Sequence, residues 1–339
     1  MNILVTGSDG FIGKNLIVKL NETKEHQVLT FVRGDSAESL KHSLLKADVI
    51  IHLAGENRPP NEDLFETVNV GLTTTICEIL QSTKNKVPLI LSSSQQASKD
   101  NPYGRSKLAA EQVVKKLASE NRNQVFIYRL PGVFGKWCKP NYNSVVATFC
   151  NNIAKGLPVK IEKPDVKIQL VYVDDVVQSF LWAIDQAHSE NILDVEILPQ
   201  FEIKLLDLAK QIRAFKACRG SLISERVGEG LPRALYATYL SYLPNEMFSY
   251  DIPVHSDKRG VFVEMLKTQD SGQFSFFTAQ VGITRGGHYH HTKSEKFLVI
   301  KGLARFRFRH IITGEKISMD VSNETPKIVE TVPGWAHDI

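Results

Sequence analysis

Three glycines, each three residues after the last, follow the first apolar run of the chain and restrict its fold more than any other feature. The apolar residues 3–5 lead into Thr6, Gly7, Ser8, Asp9, Gly10, Phe11, Ile12 and Gly13, and Ile12, Leu16 and Leu20 then recur at four-residue spacing. Strand, glycine turn and amphipathic helix in that order begin a doubly wound α/β sheet. There the glycines let a pyrophosphate approach backbone N–H groups at a helix N-terminus, where the helix dipole supplies partial positive charge. A glycine turn that serves packing alone would read the same way.

The alternation continues downstream. Strands are expected at residues 3–5, 28–32, 49–53, 89–91 and 125–128, with a second helical stripe at Ala109, Val113 and Leu117. This is the order of a parallel sheet with crossover helices. From about Asp251 the helical spacing ends, glycines punctuate, and residues 274–278, 297–300 and 304–308 read as strands of an all-β module. Residues 231–244, rich in Tyr and Leu, read as a packed connector, so the expected domains are 1–244 and 245–339. A chain of 339 residues suits two domains, because single cores tend to divide beyond roughly 250 residues.

Composition removes several classes. With 42% hydrophobic and 23% charged residues the chain can bury a sizeable core and is not of a disordered type. A net charge of +4 without a basic run argues against nucleic acid as a partner. No apolar segment is long enough for membrane insertion, and no secretory leader is evident. Cys77, Cys138, Cys150 and Cys218 lack the paired spacing of a metal knuckle or redox motif and read as reduced packing residues. A cytoplasmic protein is expected.

Tyr103 and Lys107 stand four apart at the start of a helical pattern, which puts both side chains on one face. An ammonium near a phenol favours the phenolate and lowers its pKa from about 10, so the tyrosine exchanges a proton near neutrality. That suits reduction of a carbonyl, because the hydride leaves an oxyanion that needs a proton. Ser92, Ser93 and Ser94 follow directly on a strand, where one hydroxyl is placed to hold the carbonyl oxygen.

Together with the glycine turn, these residues resemble the extended short-chain dehydrogenase/reductases, whose domain is Rossmann-like. The resemblance selects Ser94 as the serine that acts with Tyr103 and Lys107. It also makes Gly7, Ser8, Gly10, Phe11, Ile12 and Gly13, the segment Leu53, Ala54 and Gly55 after His52, and Tyr103 and Lys107 the cofactor-binding set. Arg33 closes the second strand, where an acid would accept from ribose hydroxyls and an arginine instead pairs with a 2′-phosphate, so NADPH is favoured over NADH. Arg33 reads equally as a solvated surface charge, with Asp35 close by. Arg129 to Gly135 resembles the family's segment beyond the sixth strand, and Asp174 and Asp175 its paired acids. These acids read as helix-capping groups, and Arg129 equally as structural. Dehydratases place acids after the catalytic serine or threonine, whereas Gln95 and Gln96 stand here, which favours reduction.

In the second module Gly282, His288, His290, Glu295 and Gly302 resemble the first cupin motif, with five, one, four and six residues between them. Alternate residues of a strand point the same way, so His288 and His290 share one ion while Glu295 on the next strand completes a face. Pro333, Gly334, Trp335, Ala336 and His337 resemble the second motif, whose histidine supplies the remaining ligand. The Pro here directly precedes the Gly, and the usual intervening residue is missing. His291 would point to the opposite face. Imidazole and carboxylate suit zinc, iron, manganese or nickel, and the resemblance favours Zn2+; a metal-free sugar site is the alternative. The chain stops at Ile339, two residues after His337, where a complete cupin needs further strands, so a truncated barrel is expected.

Through residues 101–107, 134–149 and 288–299 the whole chain resembles bifunctional enzymes of capsule and O-antigen synthesis, in which an extended reductase is fused to a C-terminal cupin. That resemblance implies a homodimer or higher homo-oligomer acting on a UDP-sugar in the route to UDP-N-acetyl-L-fucosamine. The cupin would invert C3 of UDP-2-acetamido-2,6-dideoxy-4-hexulose, and the reductase would then reduce the C4 ketone with NADPH to a 6-deoxy-L-talose derivative. Arg285, His291 and Lys296 are candidates for moving the C3 proton. Competing expectations are another nucleotide-sugar epimerase or dehydratase, and a cupin that binds sugar or dimerises without catalysis.

Overall fold

Apolar runs become buried parallel strands in the first part of the computed structural model, which describes residues 1–186, 192–270 and 272–339. The elements in order are β1 (Asn2–Thr6), α1 (Phe11–Thr23), β2 (Gln27–Phe31), α2 (Ala37–Lys46), β3 (Val49–His52), α3 (Leu72–Ser82), β4 (Leu89–Ser94), α4 (Pro102–Asn121) and β5 (Val125–Leu130). There follow β6 (Gly132–Phe134), α5 (Val145–Ala154), β7 (Lys167–Tyr172), α6 (Val173–Asp185), β8 (Ile192–Val195), β9 (Phe201–Lys204), α7 (Leu205–Ser221), β10 (Ile223–Ser224) and α8 (Gly230–Leu240).

The main sheet is six-stranded and parallel, in the order β2-β1-β3-β4-β5-β8. Ile3, Leu4 and Val5 of β1 are fully buried, as a central parallel strand covered on both faces requires. The order reverses at β1, with β2 on one side and β3 on the other. In such sheets the ligand crevice lies at the carboxyl ends of the strands at that reversal. The glycine turn, His52 and the three serines all sit at those ends.

Helix α1 buries Leu16 and Leu20, as its spacing predicts. Helix α4 departs from expectation: its buried stripe is Ala110, Val114 and Leu117 with Ser106, Lys107 and Glu111, while Ala109 and Val113 are only half-buried. Polar residues on the inner face carried no hydrophobic signal, so the apolar pattern alone centred the stripe one position too early. A further core gathers Phe134, Phe149, Leu208, Phe215, Leu235 and Tyr239 around the three-stranded sheet β6-β7-β9. The expected connector is thus largely helix α8, packed into that core.

Glu111 shows what the inner face of α4 does. Its carboxylate is 1% exposed, accepts from Arg129 Nε at 2.9 Å and Nη2 at 2.6 Å, and accepts from the Ser93 hydroxyl at 2.5 Å. Burial alone would raise its pKa, but the bonds from Arg129 and Ser93 hold it below the ordinary carboxylate value. Replacing Arg129 with Met strands a buried charge, so Arg129→Met is expected to cost about 3 kcal/mol, measured by urea unfolding at neutral pH. The pair stabilises the fold while Glu111 is ionised, so the deficit should shrink as the pH falls through the carboxylate range.

The chain divides into two units, Met1–Ser221 with Glu225–Ser249, and Leu222–Ser224 with Tyr250–Ile339. Residues 245–249 group with the first unit, where a short 3-10 turn at Asn245–Met247 is tied to α7 by a hydrogen bond from Arg219 to the Met247 carbonyl. No helix among the described residues is long and apolar enough to cross a membrane.

The second unit is all β. Its further strands are β11 (Val254–Asp257), β12 (Gly260–Thr268), β13 (Gln273–Phe277), β14 (Gly286–His288), β15 (Lys296–Leu298), β16 (Leu303–His310), β17 (Lys316–Ser322), β18 (Ile328–Glu330) and β19 (Trp335–Asp338). One sheet runs β10-β12-β11 with β13 also on β12, another β14-β19-β16-β17, and β15 pairs with β18. Along β16 the period of two turns Phe306 and Phe308 into the core and leaves Arg305, Arg307 and Arg309 exposed. This is an antiparallel arrangement of the cupin type, apart from the short parallel contact of β10 with β12.

Candidate active site and metal centre

The glycine turn is a cradle with no room for side chains. Gly7 has φ +68°, its N–H donates to Phe31 O at 2.8 Å, and a Cβ there would stand 2.7 Å from Ala54 N. A Cβ on Gly13 would stand 2.4 Å from Gly7 O. These contacts are with backbone, which cannot move aside, so positions 7 and 13 accept only glycine. Helix α1 starts at Phe11 with Gly10 as N-cap, and no side chain caps it. Its first N–H groups, including those of Phe11, Ile12 and Gly13, face the turn as a ready anion site. The residues present therefore fit a dinucleotide diphosphate, with Ser8 buried inside the turn.

A buried polar chain ties this turn to helix α4. Ala54 N–H donates to Thr6 Oγ1 at 3.2 Å, and Thr6 Oγ1 lies 2.6 Å from His52 Nδ1. His52 Nε2 lies 2.9 Å from Thr73 Oγ1, which donates to Asn69 O at 2.7 Å. Since the Thr73 proton is used on Asn69, His52 must donate through Nε2 and accept through Nδ1. Burial, reinforced by the Lys107 charge, pushes His52 down to about 3, so it stays neutral. Asn69, in a π-helical turn at Phe65–Gly71, donates to Ser106 Oγ at 2.9 Å, and Ser106 donates to Tyr103 O at 2.8 Å. Neither Thr73 nor Asn69 was marked by spacing; a polar side chain inside a helix acquires meaning only from what packs on it.

Ser94, Tyr103 and Lys107 come together at the carboxyl end of β4. Ser94 hydrogen-bonds the Tyr103 phenol, and Lys107 donates to Ser92 O at 3.0 Å. Gly55 belongs to the same place, since a Cβ on it would stand 3.2 Å from Lys107 Nζ. Leu53 and Ala54 precede it at the exit of β3. One expectation is corrected: the Tyr103 phenol is raised above its ordinary value, not lowered. Burial raises it and the bond from Ser94 only opposes that, while the Lys107 ammonium gives one of its three N–H groups to the Ser92 carbonyl. Burial also brings Lys107 down to about 8, against the raising effect of Glu111.

Arg33 is not free at the sheet edge. Its guanidinium is paired with the Glu56 carboxylate, while Asp35 accepts from Val32 N–H at 2.8 Å. Asp174 and Asp175 lie in the first turn of α6 rather than at its cap, which is Tyr172, and Asp174 is 2.5 Å from Lys136 Nζ. All four cysteines are free thiols, and burial pushes Cys77 up to about 12.

In the second unit, ligand atoms of His288, His290, Glu295 and His337 all lie within 4.8 Å of one another. Antiparallel pairing sets His288 opposite His337 on β14 and β19. That pairing needs Gly286, where a Cβ would stand 2.6 Å from His337 O. Glu295 is fixed by its N–H to Thr331 Oγ1 at 2.8 Å, and its Oε2 lies 3.0 Å from His290 Nε2 and 3.3 Å from His337 Nε2. Donors bound about 2.0–2.1 Å from a tetrahedral ion stand roughly 3.4 Å apart, so the set fits a divalent metal. Burial, then the neighbouring His288, lowers His337, which keeps it in the neutral form a metal requires. Among the proposed proton movers, Arg285 lies over the Phe277 ring at 5.2 Å, His291 meets Tyr289 edge-on with ring centroids 5.1 Å apart, and Lys296 lies 3.6 Å from Glu330.

Comparison with known proteins agrees with this architecture. The NAD dependent epimerase/dehydratase family matches residues 3–195, and a polysaccharide biosynthesis C-terminal domain matches residues 255–339. The chain is 52% identical over 339 residues to UDP-2-acetamido-2,6-beta-L-arabino-hexul-4-ose reductase of Pseudomonas aeruginosa, covering 100% of this chain and 91% of the relative. The crystal structure of capsular polysaccharide assembling protein CapF from Staphylococcus aureus superposes with TM-score 0.92 at 42% identity, over 100% of this chain and 92% of that one. UDP-glucuronic acid 4-epimerase from Bacillus cereus, in complex with NAD, shares the fold at TM-score 0.60 and 17% identity, over 74% of this chain and 100% of that one. The chain therefore belongs to the NAD-dependent epimerase/dehydratase family, as a CapF-type member that joins an extended short-chain reductase domain to a cupin-like β domain.

Proposed function

We propose that this protein is a bifunctional nucleotide-sugar enzyme of capsule or O-antigen synthesis. Its cupin unit inverts C3 of UDP-2-acetamido-2,6-dideoxy-4-hexulose, and its reductase unit reduces the C4 ketone to UDP-2-acetamido-2,6-dideoxy-L-talose with NADPH as donor. The observation that carries this reading is the 52% identity, along the whole chain, with a relative named as a reductase of a UDP-linked hexul-4-ose.

A nicotinamide dinucleotide held by the glycine cradle would supply the hydride. The chain's own part is to hold the ketone and deliver a proton: Ser94 donates to the carbonyl oxygen, and the Tyr103 phenol protonates the alkoxide that forms. A phenol whose pKa is raised by burial stays protonated until that moment, as an acid should. The Lys107 ammonium then offsets the charge left on Tyr103. Reduction is accordingly expected to lose about tenfold in kcat/KM per pH unit once Lys107 deprotonates above about 8. A pH profile of Lys107→Arg that keeps the same limb would refute this assignment.

In the cupin unit a divalent cation such as Zn2+, held by His288, His290, Glu295 and His337, would supply Lewis-acid stabilisation of a sugar oxygen. The adjacent ketone acidifies the C3 proton, so removal and return on the opposite face inverts that carbon. Incubation with NADPH and the 4-keto sugar in deuterated water, followed by NMR, tests both halves. Deuterium at C3 and a reduced C4 are expected; no oxidation of NADPH would sink the reductase assignment.

A further inference from the structure

We infer that Glu56 is a determinant of cofactor choice: by holding the Arg33 guanidinium it competes with the 2′-phosphate of NADP(H), and it leaves NAD(H) usable by the same site. This rests on the reading that the glycine cradle takes a nicotinamide dinucleotide.

Glu56 is the fixed partner of the pair. Its side chain is 11% exposed and that of Arg33 81%. The Glu56 backbone is clamped by one buried residue, its N–H donating to Asn69 Oδ1 at 2.7 Å and its carbonyl accepting from Asn69 Nδ2 at 3.0 Å. Two residues earlier, Ala54 N–H reaches Thr6 at the end of β1, so Glu56 leaves β3 at the same strand ends as the cradle. Arg33 lies just past the end of β2, where a doubly wound sheet receives the adenosine ribose.

The charge balance at that ribose follows. A 2′-phosphate carries about −1.5 to −2 charges and needs an unopposed cation. It must draw Arg33 away from Glu56 and then sit near a carboxylate. For NAD(H), the same carboxylate is an acceptor for a ribose hydroxyl, the task an acid at the end of β2 performs in other dinucleotide folds. Here the acid arrives from β3, and Asp35, the acid nearest in sequence, is occupied by the Val32 N–H.

Titration calorimetry of NADP+ and NAD+ into the full chain tests this without relying on turnover. Glu56→Gln is expected to raise the NADP+ to NAD+ affinity ratio about tenfold by releasing Arg33. Arg33→Gln alone should cost NADP+ only about tenfold, whereas in the Glu56→Gln background it should cost about a hundredfold, because the two residues act as one unit. An unchanged ratio in Glu56→Gln, or a hundredfold loss from Arg33→Gln alone, overturns the inference while dinucleotide binding stands. The Arg33→Gln arm decides the matter even if Glu56→Gln does not fold. A wild-type chain that binds neither dinucleotide removes the cradle reading itself, and this inference with it.

Discussion

Tyr103→Phe is expected to lower kcat for ketone reduction by about 10²–10⁴-fold, the usual worth of a positioned general acid, while deuterium still enters C3 at the wild-type rate. In the proposed mechanism the phenol beside Ser94 is the proton source, and phenylalanine keeps the ring contact with Phe65, whose centroid lies 5.7 Å away. Loss of rate should therefore come without loss of fold. Stopped-flow absorbance of NADPH under single-turnover conditions isolates the chemical step from release of product. A variant that reduces within threefold of wild type would show that the alkoxide takes its proton from another group, and the reductase mechanism would have to be rebuilt around it.

The second large effect is expected in the other unit. Replacing His288 and His290 together with Ala should bring tightly bound metal to background by elemental analysis and slow C3 exchange by about 10²–10³-fold, the rate equivalent of several kcal/mol of charge stabilisation. NADP+ binding, read by calorimetry, should not change, because the glycine cradle and Arg33 lie in the first unit. Metal content and exchange answer different questions. Wild-type protein that exchanges C3 without bound metal would favour a sugar site made of imidazoles alone, and full exchange in the variant would favour a cupin that binds without catalysis.

Patterns that depend on neighbours along the chain were readable in advance. The glycine turn, the strand that precedes it and the α1 stripe follow from local sterics and a period of 3.6 residues, and they fix a doubly wound sheet. The two-residue repeat of a strand pointed to His288 and His290 as a pair, but β14 ends at His288 and β15 starts at Lys296, so His290 and Glu295 reach the cluster from just beyond the strand ends. Four-residue spacing likewise brought Tyr103 and Lys107 to one end of α4, yet it misjudged what the lysine does there. Only packing could decide that the ammonium meets the Ser92 carbonyl, that burial outweighs it at the phenol, and that α4 turns Ser106 and Glu111 inward.

The sequence by itself determined the two fold classes and pointed to the candidate residues of each site, because backbone geometry and short-range periodicity are local. Tertiary structure alone decided how the groups are charged and to whom they are bonded: His52 neutral between two threonines, Asn69 bracing Glu56 and Ser106, Arg33 held by Glu56. The reason is physical. A pKa or an ion pair depends on burial and on partners that are 13 to 46 residues away in the chain, and no local pattern records which distant side chain will arrive.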